Sequence, residues 1–161
     1  MRYAGIIRND FTAAPGVSVS FFTQGCPHRC FKCHNPETWN FDGGQEFNQD
    51  VIDEVIKALT ANGVTRSLSI MGGEPLCPEN AFLTYLLITE VKKVLPNTKV
   101  YIWTGYTLEK LLEMGNDKVM GCLHEADVLI DGPYKDELRD ITLKMRGSSN
   151  QRILDLREQG L

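Results

Sequence analysis

The sequence predicts a single α/β domain built on a mostly parallel β-sheet. Short apolar strands alternate with helical segments of 9 to 15 residues, and this alternation is typical of βαβ crossovers. The chain has 161 residues, which is enough for one hydrophobic core but well short of the roughly 250 residues of a closed eight-fold β/α barrel. Hydrophobic residues make up 42% and charged residues 24%, and these ordinary globular values exclude a disordered or fibrous chain.

The strands are predicted from short apolar runs rich in valine, isoleucine and aromatic residues. The first of them, GVSVSFFTQ, alternates and runs directly into an irregular, polar loop that carries cysteines. The predicted strands cover residues 16–24, 67–71, 99–103 and 126–130, with a possible last strand at 152–156 in the polar tail that begins at Tyr134.

The helices are predicted from apolar stripes and end signals. The first has an apolar stripe and ends at Asn62-Gly63, and the second is stopped by Pro96 because proline cannot continue a helix. The third begins after Thr107, a plausible N-cap, and ends at Gly115. The predicted helices cover residues 50–63, 81–95 and 107–115, with a turn-rich loop at 72–80.

Unusual segments follow each of the four main strands. The carboxyl ends of parallel strands meet at one edge of a sheet, and ligands bind there. We therefore expect the four segments to converge on one site. They are the cysteine loop, Gly72-Gly73-Glu74-Pro75, Thr104-Gly105-Tyr106 and Asp131-Gly132-Pro133.

Charge and hydropathy exclude two classes of partner. The net charge is -4 and the pI is near 5.4, which argues against a nucleic-acid binder that works by neutralising phosphates. No apolar run approaches the roughly 20 residues that span a bilayer, and the N-terminal segment lacks the pattern of a signal peptide. We therefore expect a cytoplasmic protein without a membrane partner. Thiols stay reduced in that compartment, so the isolated Cys77 and Cys122 are expected to be packing residues.

The segment GCPHRCFKCHNPETW holds three of the five cysteines at the spacing Cys26-x3-Cys30-x2-Cys33. Three thiolates on a short loop can each bind one iron of a 4Fe-4S cluster, which leaves the fourth iron open. A zinc site completed by His28 or His34 is the alternative that the loop alone leaves open.

The segment GGEP has a chemical interpretation of its own. Gly72 and Gly73 allow close approach of the backbone to a ligand. Glu74 offers a carboxylate suited to an ammonium group, and Pro75 makes the loop rigid. A simple turn before a helix would also explain this segment taken alone.

Together these motifs resemble the radical S-adenosylmethionine superfamily, in which a Cys-x3-Cys-x2-Cys loop precedes GGEP by about forty residues. The further segments WTGY, LIDGPY and RGSSNQRI resemble the anaerobic ribonucleoside-triphosphate reductase activating proteins over about residues 5–154. The resemblance implies an incomplete, open β/α barrel of the radical S-adenosylmethionine type. It also implies one domain over residues 1–161 with a polar tail at about 134–161.

The resemblance further implies a set of cofactor contacts. The open iron would chelate the amino and carboxylate groups of S-adenosylmethionine, with Gly73 and Glu74 at the ammonium and no catalytic residue from the protein itself. Much of the superfamily has an aromatic residue where this chain has Lys32. The implied metal ligands are Cys26, Cys30 and Cys33, and the implied cofactor-binding residues are Lys32, Cys33, His34, Gly72, Gly73, Glu74, Thr104 and Asp131.

The implied reaction is reductive cleavage of S-adenosylmethionine to a 5'-deoxyadenosyl radical, which takes a hydrogen from a glycine of the anaerobic reductase. The implied electron donor is a flavodoxin-like protein, and the open side of the barrel would admit a loop of the partner. Two alternatives stay open. One is an activator of another glycyl-radical enzyme, such as the pyruvate formate-lyase type, and the other is a non-enzymatic iron-sulfur or zinc-binding module.

Overall fold

The computed structural model describes residues 1–161 and contains one seven-stranded sheet with the strand order β3-β1-β2-β4-β5-β6-β7. The predicted α/β class is confirmed. The strands are β1 (Arg2–Asp10), β2 (Ser18–Thr23), β3 (Gln45–Glu46), β4 (Ser67–Gly72), β5 (Val100–Trp103), β6 (Val128–Asp131) and β7 (Arg152–Asp155).

The four central strands β2, β4, β5 and β6 are parallel. The strands at the two sides, β1, β3 and β7, pair antiparallel with their neighbours. In the parallel register Thr23 lies opposite Gly72, and Trp103 lies opposite Ile130. The carboxyl ends of the four central strands therefore lie along one edge of the sheet, as the sequence predicted.

Four helices accompany the sheet: α1 (Gln49–Leu59), α2 (Pro78–Val94), α3 (Leu108–Met114) and α4 (Asp117–Glu125). The predicted helix 50–63 is too long, because Asn62 has φ 56° and this left-handed backbone cannot continue a helix. The predicted helix 81–95 starts too late, since Pro78 occupies the first turn of α2, where its missing N–H costs nothing. Thr107 caps α3 by accepting from Lys110 N at 3.2 Å, and Gly115 ends it at φ 60°.

The sequence analysis missed three elements, β1, β3 and α4. The pairing of β1 with β2 shifts register between Tyr3 and Gly5 and again between Ile7 and Asp10, and such irregularities erase the period-two pattern of a strand. In α4 the interior Gly121 weakens the helical signal. A Cβ at Gly121 would lie 2.6 Å from the Tyr85 ring, so the glycine permits close packing of α4 on α2.

The main hydrophobic core lies between the helices and one face of the sheet, and it contains 27 buried residues. Strand residues such as Phe21, Ile70 and Ile102 are fully buried in it. The opposite face carries only a small cluster, Ala14, Tyr101, Val128 and Ile130, with Trp103 and Met145 packed against it. The helices thus cover one face, while loops cover the other only in part, since Phe22, Met71 and Trp103 on that face are half-buried. None of the helices is long and apolar enough to cross a bilayer.

Candidate iron-sulfur site

A cavity of about 200 Å³ lies at the carboxyl edge of the sheet, and all four strand exits contribute to its wall. The structure thus brings together most of the residues that the sequence singled out. The predicted site residues in its wall are Cys26, Cys30, Cys33, His34, Gly72, Gly73, Glu74 and Thr104.

The three thiols of the loop differ in exposure. Cys26 is buried, Cys30 and Cys33 are half-buried, and none of them forms a disulfide. Burial raises the pKa of Cys26 to about 11 and also raises the pKa of Cys30. Arg29 and Lys32 have φ values of 50° and 55°, so the chain turns sharply on either side of Cys30. This turning keeps all three thiols on one cavity.

The donor set fits an iron-sulfur cluster better than a single metal ion. No three histidine, cysteine, aspartate or glutamate side chains converge on a point that could hold one ion. In a cluster each thiolate binds a different iron, so thiols spread around a cavity suit it. The two histidines considered for zinc have other contacts, because His28 binds Glu74 at 2.7 Å and the ring of His34 lies 4.9 Å from that of Tyr134.

Glu74 is fully buried and hydrogen-bonded at both carboxylate oxygens. Oε1 accepts from His28 Nε2 and from Gly105 N, both at 2.7 Å. Oε2 accepts from Leu76 N and from Thr104 Oγ1, both at 2.8 Å. A carboxylate has about four lone-pair positions, so these four donors satisfy it. The buried negative charge is stabilised chiefly by these donors from three loops.

Backbone contacts tie the cysteine loop to the GGEP loop. Glu74 N donates to Gly25 O at 2.8 Å. The buried Asn80, in the first turn of α2, donates through Nδ2 to Gln24 O, Gly25 O and Glu74 O at 3.0 to 3.1 Å. Asn80 therefore joins the bases of both loops, and the sequence analysis missed it because its partners are backbone atoms distant in the chain.

The two glycines of GGEP permit close approach, and the groups that approach belong to the protein itself: the cysteine loop at Gly73 and strand β2 at Gly72. A Cβ at Gly73 would lie 2.4 Å from Gly25 O. Gly72 has φ 109°, a conformation that side chains disfavour, and its Cβ would lie 2.6 Å from Thr23 N. These contacts set the distance between the thiols and Glu74.

Replacement of Gly73 by alanine is expected to separate the two loops and to lower the free energy of unfolding by about 2 to 4 kcal/mol, because the added methyl meets backbone that cannot rotate away. Urea denaturation measures the change. Gly5→Ala is the matched control, since no atom lies within 4 Å of its Cβ position. Equal stability of the Gly73→Ala and Gly5→Ala proteins would contradict this packing.

Two predicted cofactor residues, Lys32 and Asp131, do not line the cavity. The Lys32 side chain is 64% exposed, and its Nζ lies 3.6 Å from Asp136 Oδ2. The buried Asp131 accepts from Leu108 N at 2.8 Å, which satisfies the start of α3, and from Arg152 Nε at 3.0 Å. The carboxylate of Asp131 is therefore already paired within the protein.

The cavity wall also contains two residues that the sequence analysis did not assign to it. Tyr134 and Gln151 come from the polar tail, and they join Gly132, which follows β6 in one of the four predicted segments. Gln151 Nε2 donates to Gly132 O at 3.0 Å, and Gln151 Oε1 accepts from Gly147 N at 2.9 Å. The segments LIDGPY and RGSSNQRI were the available signal, since both reach this wall.

Alkylation of the cluster-free protein is expected to separate four of the five cysteines into two classes. Cys77 and Cys122 are fully buried and the pKa of each is raised to about 12 by burial, so at about pH 8 only about one in ten thousand of these thiols is ionised. Iodoacetamide should label the half-buried Cys30 and Cys33 first. It should label Cys77 and Cys122 only after unfolding. Mass spectrometry with and without denaturant measures the order. Labelling of Cys77 as fast as Cys33 would contradict it.

Comparison with known proteins agrees with this site. A family model described as a 4Fe-4S single cluster domain matches residues 13–154. An anaerobic ribonucleoside-triphosphate reductase-activating protein from Salmonella typhi is 34% identical over 158 residues, which cover 98% of this chain and 100% of that protein. A protein of the same name from Vibrio cholerae is 35% identical, and the match covers 95% of this chain and 97% of that protein. Another from Enterobacteria phage T4 is 36% identical, and the match covers 95% of this chain and 93% of that protein.

The sheet, the three-cysteine loop and the matching family model define an α/β protein of the 4Fe-4S single cluster class. Within that class the near full-length relatives are more specific. The chain belongs to the family of anaerobic ribonucleoside-triphosphate reductase-activating proteins.

Proposed function

We propose that this chain generates a glycyl radical on an anaerobic ribonucleoside-triphosphate reductase by reductive cleavage of S-adenosylmethionine. The observation that carries the proposal is one cavity at the carboxyl edge of the sheet that holds three free thiols and the Gly73-Glu74 loop together. The names of the relatives supply the partner. A cytoplasmic location suits thiols that must stay reduced.

Cys26, Cys30 and Cys33 would hold three irons of the cluster, and Gly72, Gly73, Glu74 and Thr104 would line the cofactor position beside it. Once bound, the reduced cluster and S-adenosylmethionine together supply a 5'-deoxyadenosyl radical. The chain itself contributes position and exclusion of water. The backbone of Cys33 and His34, which line the cavity, would border the adenine, and Lys32 would take part only through its backbone next to Cys33. Asp131 would act indirectly by accepting from Leu108 N at the start of α3.

The proposal extends to the shape of the fold. Helices cover only one face of the sheet, and the first and last strands of the sheet, β3 and β7, do not pair with each other. Both features support an open β/α barrel of the radical S-adenosylmethionine type. The face without helices would admit a glycine-bearing loop of the reductase. The segment Tyr134–Gln151 borders that face, because Met145 O accepts from Trp103 Nε1 at 2.7 Å.

The test is anaerobic reconstitution with iron and sulfide, followed by incubation with S-adenosylmethionine, a one-electron donor such as reduced flavodoxin, and the reductase. We expect about four irons per chain, release of methionine and 5'-deoxyadenosine, and a glycyl doublet by electron paramagnetic resonance. A doublet on a pyruvate formate-lyase type enzyme but none on the reductase would overturn the choice of partner. A colourless protein with one zinc would overturn the chemistry.

A further inference from the structure

Glu74 has no lone pair free for a ligand, although the proposed function requires it to accept a hydrogen bond from the amino group of S-adenosylmethionine. Three of its four donors cannot leave easily. Leu76 N and Gly105 N are backbone groups, and Thr104 Oγ1 belongs to a side chain that is 5% exposed. The fourth donor, His28 Nε2, reaches Glu74 from the separate cysteine loop, and its side chain is 17% exposed.

The His28 ring packs against the segment that follows β5. It forms a T-shaped pair with Tyr106, with ring centroids 4.5 Å apart, and it lies beside Gly105, where a Cβ would lie 2.5 Å from His28 Cδ2. The ring thus occupies space that exists because residue 105 lacks a side chain. Rotation about the side-chain bonds of His28 would vacate that space without breaking a strand or a helix.

We propose that His28 occupies the position of the cofactor's amino group on Glu74 and is displaced from Oε1 when S-adenosylmethionine binds. This inference rests on the proposed function. An amino group whose lone pair binds iron keeps two N–H donors and no acceptor, so it needs a carboxylate lone pair beside it, and His28 is the donor that can yield one. The imidazole keeps the buried carboxylate paired in the absence of the cofactor, which avoids the cost of an unpaired buried charge.

Displacement has a measurable consequence for affinity. A ligand that must first remove an internal occupant binds more weakly. Its apparent affinity is its affinity for the free site multiplied by the fraction of molecules in which the site is free. A molecule of similar shape that lacks the amino group would leave His28 in place. His28 is thus a specificity-determining residue that makes occupation of this cavity depend on an N–H donor at that position.

The first experiment measures S-adenosylmethionine affinity by anaerobic titration calorimetry on reconstituted protein with an oxidised cluster, in which cleavage does not occur. We expect His28→Ala to bind about three- to tenfold more tightly than the unsubstituted protein. His28→Gln, whose amide can still donate to Glu74, should bind with nearly unchanged affinity. His124→Ala is the matched control, because His124 is an exposed histidine on α4. Weaker or unchanged binding by His28→Ala at full iron content would overturn the proposal.

A second experiment uses the unsubstituted protein and does not depend on the folding of a variant. Diethylpyrocarbonate modification of each histidine is followed by mass spectrometry with and without saturating S-adenosylmethionine. We expect modification of His28 to rise with the ligand and that of His124 to stay constant. A fall or no change at His28 would overturn the displacement. Failure of the proposed function would be distinct, since the unsubstituted protein would then give no glycyl doublet.

Discussion

Replacement of Cys26, Cys30 or Cys33 by serine is expected to abolish activation of the reductase. A hydroxyl is a much poorer ligand for iron than a thiolate, and each thiol would hold a different iron, so each single change should leave the cluster incomplete. Iron content should fall from about four atoms per chain to below about one, and cleavage of S-adenosylmethionine should become undetectable. Iron analysis and product chromatography after anaerobic reconstitution measure both effects.

The control for this series is Cys122→Ala. Cys122 is a buried thiol on α4, and its Sγ lies 3.5 Å from Ala81 O in the helix packing. This variant should keep its full iron content and lose only stability, by about 1 kcal/mol. A loop serine variant with the iron content and cleavage rate of the Cys122→Ala protein would exclude that cysteine as a ligand.

Replacement of Glu74 by glutamine is expected to lower both stability and activity. Each oxygen of Glu74 accepts two hydrogen bonds, so an amide NH2 at either position faces a backbone N–H, of Gly105 or of Leu76, that has lost its acceptor. The buried mismatch should cost about 3 kcal/mol, and the displaced loops should lower the rate of cofactor cleavage about 100-fold or more. Urea denaturation and product formation measure the two effects separately.

Glu79→Gln provides the comparison for Glu74. Glu79 is exposed in the first turn of α2, where loss of a negative charge weakens the interaction with the helix dipole by at most about 1 kcal/mol. Activity should be unchanged. If the Glu74→Gln protein matched the Glu79→Gln protein in both measurements, the hydrogen-bonded carboxylate would have no role in positioning the loops.

The central part of the fold was predictable because its signals are local. Each of the four parallel strands is a short apolar run with a turn after it, and the caps Thr107 and Gly115 act within a few residues of their own helix. The outer elements were not predictable on the same basis. β1 is a strand because it pairs with β2 across irregular register, and α4 is a helix whose Gly121 makes sense only against Tyr85 on α2.

The residues of the site divide in the same way. The spacing of Cys26, Cys30 and Cys33 and the GGEP segment indicated soft-metal and ammonium chemistry, because thiolates and a carboxylate retain their chemical character in any fold. Sequence could not indicate that Asp131 is paired with Arg152 and α3, nor that Lys32 faces Asp136 outside the cavity. The partners of Asp131 are more than twenty residues away in the chain, and the partner of Lys32 is more than a hundred residues away.

By itself the sequence determined the four central strands and three of the four helices, the edge of the sheet at which the cysteine and GGEP loops meet, and the kind of groups gathered there. Only the tertiary structure decided that His28 donates to Glu74, that Asn80 joins the two loops, and that Gly73 packs against Gly25 O. The physical reason is distance along the chain. Hydrogen bonds and van der Waals contacts act over a few ångströms, and only the packed sheet brings these segments within that range.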